Sequence, residues 1–151
     1  MQYIYFYNTI IGKIGIVAND DFITGVCFGD NCTNYDILET PLIKLTYKQI
    51  DEYLKGKRKT FDIPIDCRGT LFQNRVWQVL QKIPYGETKT YKEIAKMINS
   101  PEACRAVGNA NNKNPIPIII PCHRVVGTNG KLVGYAGGLT IKKKLLNLEN
   151  E

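Results

Sequence analysis

A proline-interrupted run of isoleucines, Asn114–Pro121, limits the possible folds of this chain more than any other segment. The prolines at positions 115, 117 and 121 exclude an α-helix through it. Three consecutive isoleucines at positions 118–120 require complete burial. A polar triplet, Cys122-His123-Arg124, follows directly. The sequence therefore predicts a rigid, buried, extended segment that carries a cysteine and a histidine at its end.

The adjacent Cys122 and His123 are the residues most relevant to chemistry, because His123 is the only histidine of the chain. A thiol is nucleophilic as its thiolate, and a nearby base or positive charge lowers its ordinary pKa of about 8.5. Neighbouring side chains on an extended segment point to opposite faces, so a direct hydrogen bond between the two is awkward. A turn or a bridging water would solve this. By itself the pair fits either a catalytic dyad or a structural cysteine beside a core histidine.

The composition is that of a globular protein with one domain, or with one domain and a small subdomain. The 151 residues are 44% hydrophobic and 23% charged. A net charge of +6 and a pI of about 9.0 favour an anionic partner without identifying it. No apolar run approaches the ~20 residues of a membrane helix, and the first ten residues lack the basic region of a secretory signal. We therefore expect no membrane contact and a cytoplasmic location.

The five cysteines are odd in number and include no Cys-x-x-Cys pair. This pattern argues against a disulfide scaffold and for a reducing cytosol. We interpret Cys27, Cys32 and Cys67 as small buried hydrophobic residues. Cys27 and Cys32 are near enough in sequence to raise the question of zinc, but the only histidine is far away at position 123. No metal site is therefore predicted.

Residues 1–66 are predicted to form a small sheet with one helix. Three strands rich in aromatic and β-branched residues come first, with a hairpin turn at Asn19–Asp21 between the second and the third. An amphipathic helix with proline in its first turn, a basic surface turn and a short fourth strand follow. The strands are Tyr3–Tyr7, Ile14–Ala18, Phe22–Phe28 and Phe61–Ile65, the helix is Pro41–Leu54, and the basic turn is Lys55–Lys59.

Residues 67–151 are predicted to be mainly helical. Thr90 and Glu93 form a capping box at the start of one short helix, and Ser100 followed by Pro101 is the start signal of the next. This pair is either a helix-turn-helix or an ordinary helical hairpin. A preceding helix has an apolar face of Leu71, Phe72, Val76, Val79, Leu80 and Ile83, and Thr140–Glu149 forms the last helix. The predicted fold class is α+β.

The string Ile-Pro-Cys-His-Arg-Val-Val at positions 120–126 closely resembles the active-site signature of the O6-alkylguanine-DNA alkyltransferases, or methylated-DNA–protein-cysteine methyltransferases. The resemblance covers most of the second half of the chain, whereas the first half matches only in general character. The other matching strings, in the same order and spacing, are Phe72–Trp77, Ile83–Thr88, Tyr91, Arg105–Gly108, Asn114–Pro115 and Tyr135–Leu139.

The resemblance implies direct reversal of DNA damage. The family moves an alkyl group from the guanine oxygen to its own cysteine, once per molecule and without a cofactor. Cys122 would be the alkyl acceptor, His123 the base that acts through a water, and Glu149 the group that orients His123. Arg124 would anchor the loop. The implied partner is duplex DNA that contains O6-alkylguanine, and the protein is expected to be a monomer.

The resemblance also implies how the damaged base is presented. The base must leave the stack, and Arg105 matches the arginine that fills the gap. Tyr91 matches the tyrosine that donates its hydroxyl to the flipped base and crowds the turning phosphate. Ala106 and Gly108 allow their helix to approach the DNA backbone in the minor groove. Cys104 lies beside Arg105 and is expected to face the DNA. The resemblance implies no chemical role for its thiol.

The remaining matches imply a substrate pocket. Asn114 matches the hinge residue that shapes the Cys122 loop. Ala136 stands where many family members have serine, so backbone amides would have to supply the donor to the guanine oxygen. Lys142 matches a pocket lysine, although a solvated helix lysine fits the sequence equally well. The pocket residues implied are Asn114, Val125, Tyr135, Ala136, Gly137 and Lys142.

Three other functions compete with alkyl transfer. A non-catalytic lesion binder can share this scaffold, but such proteins replace the reactive cysteine that Cys122 retains. A cysteine hydrolase would need an oxyanion hole, and the glycine content is the only sequence feature that supports one. A transcription factor would need a regulatory module that this length does not accommodate. The sequence leaves open which alkyl adducts are preferred, whether alkylated thymine is accepted, and what happens to the alkylated protein.

Overall fold

The structure, a computed structural model, describes residues 1–151 and divides them into two compact units, Met1–Cys67 and Arg68–Glu151. The first unit combines a four-stranded sheet with one helix, and the second is mainly helical. The predicted α+β class is confirmed. None of the helices combines the length and the apolar character needed to span a bilayer.

The first unit is a sheet with the strand order β3-β2-β1-β4. Neighbouring strands β1, β2 and β3 are antiparallel, whereas β4 runs parallel to β1. Tyr3 lies opposite Ala18, which fixes the register of the central pair. The elements are β1 (Tyr3–Thr9), β2 (Gly12–Ala18), β3 (Ile23–Phe28), β4 (Asp36–Ile37) and α1 (Pro41–Leu54).

Local side-chain chemistry explains the turn and the helix start in this unit. Asn19 Oδ1 accepts hydrogen bonds from the amides of Asp21 (2.9 Å) and Phe22 (2.7 Å), which closes the predicted hairpin turn. Thr40 caps α1 by accepting from the Ile43 amide at 3.2 Å. The helix has the predicted bounds, because its apolar spacing and its proline start signal agree.

One predicted strand is absent, and one observed strand was not predicted. Phe61–Ile65 forms no strand, and only Ile65 makes an isolated bridge, with Ile23. Pro64 has no N–H to extend that pairing and contributes only its carbonyl, which accepts from the Ile23 amide at 2.9 Å. The unpredicted strand β4 is two residues long, too short to show an alternating pattern.

The interpretation of the first cysteines also needs correction. Cys27 and Cys32 form a disulfide that closes the loop after β3. Cys27 is buried as expected, whereas Cys32 and Cys67 are only half-buried. Because the loop between the paired cysteines is short, neither spacing nor cysteine count distinguishes this pair from two free thiols.

The second unit contains four α-helices and a two-stranded parallel sheet. The helices are α2 (Leu71–Leu80), α3 (Tyr91–Met97), α4 (Cys104–Asn112) and α5 (Leu139–Glu149), and the strands are β5 (Lys89–Thr90) and β6 (Val125–Val126). Short 3-10 turns cover Cys122–Arg124 and Thr128–Gly130. The sheet pairs the two residues before α3 with the two residues after the Cys122 turn: Lys89 lies opposite Val125, and Thr90 lies opposite Val126.

Capping residues set the start of α2 and α3. Thr70 with Gln73 and Thr90 with Glu93 each make a complete capping box, and the second was predicted. The apolar face predicted for α2 is partly wrong, because Leu71 is 86% exposed at the first helical position. The helix instead buries Trp77, whose indole N–H donates to the Ala110 carbonyl at 2.9 Å and joins α2 to α4.

The predicted start of α4 is three residues too early. Ser100 is not its N-cap; its carbonyl accepts from the Ala103 amide at 2.9 Å in a separate turn. The helix begins at Cys104 without a side-chain cap. The Ser-Pro pair is therefore used in the connection between α3 and α4, which form two short helices joined by a turn.

The isoleucine run is a tight turn and not the predicted extended segment. Ile116, Ile118 and Ile120 are buried, whereas Ile119 is half-buried. The Ile120 amide donates to the Ile116 carbonyl at 2.9 Å, and Ile118 has a φ of 77°. A positive φ is unfavourable for a β-branched residue, so surrounding contacts have to hold this turn in place.

Candidate active site

The triplet Cys122–Arg124 forms one turn of 3-10 helix whose three side chains are buried. The tight turn replaces the predicted extended geometry, and a turn is one of the two arrangements expected to allow the cysteine and the histidine to act together. Cys122 is only 2% exposed. Burial raises the pKa of this thiol to about 11, although the Asn114 side chain and the Lys142 charge act in the opposite direction. At neutral pH the thiol is therefore protonated.

His123 is fully buried and paired with a carboxylate. Its Nε2 lies 2.7 Å from Glu149 Oε2. Burial lowers the pKa of His123 below its ordinary value, and the hydrogen bond to Glu149 only partly opposes this effect. The imidazole is thus neutral at pH 7. Because a carboxylate accepts and does not donate, Nε2 carries the proton and Nδ1 is the basic nitrogen.

Glu149, near the end of α5, connects several groups through its two carboxylate oxygens. Oε1 accepts from Arg124 Nε at 2.8 Å and from the Gly86 amide at 3.1 Å. Oε2 accepts from Arg124 Nη2 at 3.1 Å in addition to His123. Arg124 also donates to the Ile83 carbonyl at 2.6 Å. This two-point ion pair gives Arg124 an anchoring position and fixes the carboxylate that faces His123.

Asn114 supports the turn that leads to the cysteine. Its Nδ2 donates to the Ile120 carbonyl at 2.9 Å, and its Oδ1 accepts from the Ile116 amide at 3.0 Å. Both bonds are buried, so the side chain holds the two ends of the isoleucine turn together. This geometry is what a hinge residue next to the Cys122 loop requires.

Asn111 is a site residue that sequence reasoning missed. It lies on the inner face of α4 with Val107 and Ala110, is 2% exposed, and its Nδ2 lies 3.4 Å from the Cys122 carbonyl. The available signal was its spacing of four from Val107, which places an amide on the apolar face of the helix.

Tyr91 and Lys142 hold one short stretch of backbone. The Tyr91 hydroxyl donates to the Val133 carbonyl at 2.9 Å. Lys142 Nζ donates to the same carbonyl at 2.9 Å and to the Gly134 carbonyl at 3.2 Å. Lys142 is fully buried, so it is not a solvated helix lysine, and burial lowers its pKa to about 8. Burial also raises the pKa of Tyr91.

The other pocket residues implied by the resemblance occupy β6 and the loop before α5. Val125 is fully buried in β6, directly after the Cys122 turn. Tyr135 and Gly137 are half-buried, and Ala136 is exposed. The hydrogen bonds to Val133 and Gly134 fix the backbone immediately before these three residues.

The outer face of α4 presents the residues implied at the DNA. Cys104, Arg105 and Ala106 are exposed and line an open groove of about 1070 Å³ together with Tyr91 and Val133. Gly108 lies under the Tyr91 ring, where an added Cβ would be 3.7 Å from the ring. Nowhere along the chain do three or more His, Cys, Asp or Glu side chains cluster as metal ligands.

Two family models together match nearly the whole chain. The model described as "6-O-methylguanine DNA methyltransferase, DNA binding domain" matches residues 71–151, and the one described as "6-O-methylguanine DNA methyltransferase, ribonuclease-like domain" matches residues 2–67. This chain belongs to the 6-O-methylguanine DNA methyltransferase family. The resemblance inferred from the 120–126 signature is thereby confirmed.

Similar proteins of this methyltransferase family are found in bacteria and archaea. The constitutive methylated-DNA–protein-cysteine methyltransferase of Bacillus subtilis is 44% identical over 158 residues, covering 99% of this chain and 96% of the relative. That of Methanosarcina acetivorans is 60% identical over 102 residues, covering 68% and 65%. The crystal structure of Mycobacterium tuberculosis OGT in complex with DNA has a TM-score of 0.91 and 40% identity, covering 98% and 92%.

Proposed function

We propose that this methyltransferase repairs DNA by moving the alkyl group of O6-methylguanine in duplex DNA to its own Cys122. The observation that carries the proposal is a buried thiol followed in sequence by a buried histidine, which a buried carboxylate holds. The family membership and the DNA complex of the mycobacterial relative agree with it. The acceptor is consumed, so each molecule acts once, and no cofactor takes part.

The chemistry balances with groups of this chain and water. The Cys122 sulfur attacks the methyl carbon, a carbon–sulfur bond forms, and the bond from carbon to the guanine oxygen breaks. The electron pair of the broken bond passes to the guanine ring, which takes up one proton from water and becomes ordinary guanine, while the proton that His123 receives from the thiol later returns to water. The thiol proton moves through a water to His123 Nδ1, and Glu149 stabilises the resulting imidazolium.

The high pKa of Cys122 explains why a base has to be adjacent. At about 11, the thiol holds its proton at neutral pH and is a weak nucleophile. A neutral His123 can take this proton as the reaction proceeds, which a histidine already charged at pH 7 could not do. Burial therefore keeps the thiol inert toward solvent and active only where the base and the substrate meet.

Duplex DNA is the proposed partner because the second unit is positively charged and has an open groove along α4. Residues 68–151 contain 13 Lys and Arg, five Glu and no Asp, whereas residues 1–67 have seven basic and nine acidic residues. Arg105 projects from α4 to fill the stack after the base flips, and Tyr91 contacts that base. Cys104, Ala106 and Gly108 also line this groove of the protein. We propose that they face the minor groove of the DNA.

The finer assignments belong to the same proposal. The pocket consists of Asn114, Val125, Tyr135, Ala136, Gly137 and Lys142. Lys142 acts by holding the Val133–Gly134 backbone before the pocket residues. We also propose that residues 1–66 and 67–151 are the two domains, with binding and transfer in the second. The protein is proposed to act as a monomer in the cytoplasm.

The proposal is tested with a duplex oligonucleotide that carries one O6-methylguanine and with no methyl donor. We expect the peptide that contains Cys122 to gain the mass of one methyl group, with a yield that saturates at one per protein molecule. Cys122→Ser abolishes the gain, and Cys67→Ser, which changes a free thiol outside the proposed site, retains it. Methyl on another residue, repeated turnover, or binding without transfer would each overturn the proposal, the last in favour of a lesion binder.

A further inference from the structure

Asn111 contributes one atom that neither the mechanism nor the fold uses. Its Nδ2 faces the Cys122 carbonyl at 3.4 Å, and a carbonyl can only accept, so the amide has one preferred orientation. The other end, Oδ1, is buried and has no hydrogen-bond donor in the protein. An unpaired buried acceptor is unfavourable, so this position favours a ligand that brings an N–H or O–H group.

The Asn111 amide lies between the two groups that the base has to contact. On one side is the backbone of Cys122, the alkyl acceptor. The other group is Tyr91, whose ring packs over Gly108, three residues before Asn111 on α4, at 3.7 Å from the position of an added Cβ. The Asn111 side chain also acts against the rise in the pKa of Tyr91 that burial causes. Asn111 is buried and its side chain contacts the Cys122 backbone, so a base that reaches the Cys122 thiol also comes close to Asn111.

The alkylated bases differ in the N–H groups that they can offer to Asn111 Oδ1. An O6-alkylated guanine has lost the proton on ring nitrogen 1, so the exocyclic amine is its only N–H donor within the base. An O4-alkylated thymine has no N–H donor at all. A buried acceptor in this pocket can therefore be paired by the guanine derivative and not by the thymine derivative.

We propose that Asn111 Oδ1 accepts a hydrogen bond from the exocyclic amine of the flipped O6-alkylguanine, which makes Asn111 a specificity-determining residue. This inference rests on the proposed function of the Cys122 site. Asn111 takes no part in bond making; it selects the base whose alkylated oxygen is presented to the thiol. Alkylated thymine is consequently a poor substrate, because it leaves the buried oxygen unpaired.

The test compares two duplex oligonucleotides that differ only in the amine, one with O6-methylguanine and one with O6-methylhypoxanthine. For the wild-type protein we expect transfer to be at least about tenfold faster from O6-methylguanine. Asn111→Leu, which has a similar volume and no acceptor, should bring the ratio of the two rates close to one. Asn147→Leu, a substitution of an exposed asparagine on α5, should keep the wild-type ratio.

The outcomes separate this inference from the proposed function. Equal wild-type rates on the two oligonucleotides would overturn the role of Asn111 while Cys122 is still methylated, even if the Asn111→Leu variant failed to fold. A ratio unchanged by Asn111→Leu would assign the selectivity to other groups and also overturn it. Absence of methyl transfer from both oligonucleotides would refute the function itself, and this inference with it.

Discussion

At the scale of single residues, proton position decides the reactivity of the site. Cys122 has a raised pKa and His123 a lowered one, so the resting pair is a neutral thiol beside a neutral imidazole. Moving one proton from the first to the second creates a thiolate and an imidazolium without exchanging a proton with solvent. The reactive form and the resting form therefore contain the same number of protons.

Because the resting and reactive forms contain the same number of protons, the rate of methyl transfer should have a specific pH dependence. Between pH 6.5 and 7.5, below the pKa of about 8 of Lys142, the wild-type rate of methyl transfer should be nearly constant. In His123→Gln the thiol has to lose its proton to solvent, so the rate should be much lower and rise about tenfold per pH unit. Single-turnover transfer from a methylated oligonucleotide across this range gives both profiles.

Glu151→Gln, at an exposed position close to Glu149, is the matched control and should follow the wild-type profile. A steep wild-type profile, or a flat one for His123→Gln, would contradict the proton transfer between the two residues. The family resemblance implied Cys122, His123 and Glu149 as a unit, and the structure brings His123 and Glu149 into contact. The resemblance could not predict Asn111, because its role depends on which face of α4 packs against the cysteine turn.

At the scale of elements, local signals predicted the starts of α1 and α3 and the first hairpin turn, but not the start of α4 or the isoleucine turn. The Thr90–Glu93 capping box and the bounds of α1 depend on neighbours in sequence and were predicted. The isoleucine turn depends on Asn114, which bonds to residues two and six positions ahead, and on a positive φ at Ile118. No sequence rule expects a β-branched residue there, so an extended segment was predicted instead.

Asn114→Ala should therefore destabilise the second unit. The substitution leaves the Ile116 amide buried and unpaired, which costs about 1–3 kcal/mol. It also removes one of two hydrogen bonds to the Ile120 carbonyl, which still accepts from the Cys122 amide at 2.7 Å. We expect the free energy of unfolding to fall by about 2–4 kcal/mol. Urea unfolding followed by the fluorescence of Trp77, the only tryptophan and part of this unit, measures the loss.

Asn147→Ala, an exposed substitution on α5, is the control and should change the free energy of unfolding by less than about 0.5 kcal/mol. A similarly small effect for Asn114→Ala would show that packing of the isoleucines alone maintains the turn. The Cys27–Cys32 disulfide lies in the other unit, so reduction should leave this difference unchanged.

At the scale of the whole molecule, charge is divided unequally along the chain. All of the net positive charge belongs to residues 68–151, because acidic residues outnumber basic ones in residues 1–67. Positive charge beside a groove attracts phosphates irrespective of base sequence. A repair protein needs such binding, since damage occurs in any sequence context.

Affinity for undamaged duplex DNA should consequently depend strongly on salt. We expect the logarithm of the binding constant to fall linearly with the logarithm of salt concentration, by at least tenfold between about 50 and 200 mM. Arg105→Ala should leave the slope nearly unchanged, because this side chain is proposed to enter the base stack and not to neutralise a phosphate. Fluorescence anisotropy with a labelled duplex provides the slopes, and a flat wild-type response would refute phosphate binding.

The bond between His123 and Glu149 has a consequence for the last turn of α5. Glu149 is the final residue of that helix, and helix ends fray. When this turn opens, Arg124 and His123 lose the same carboxylate together, and a buried charge without its partner is unfavourable. Fraying of the end of α5 would therefore lower the reactivity of Cys122 without any change at the thiol itself.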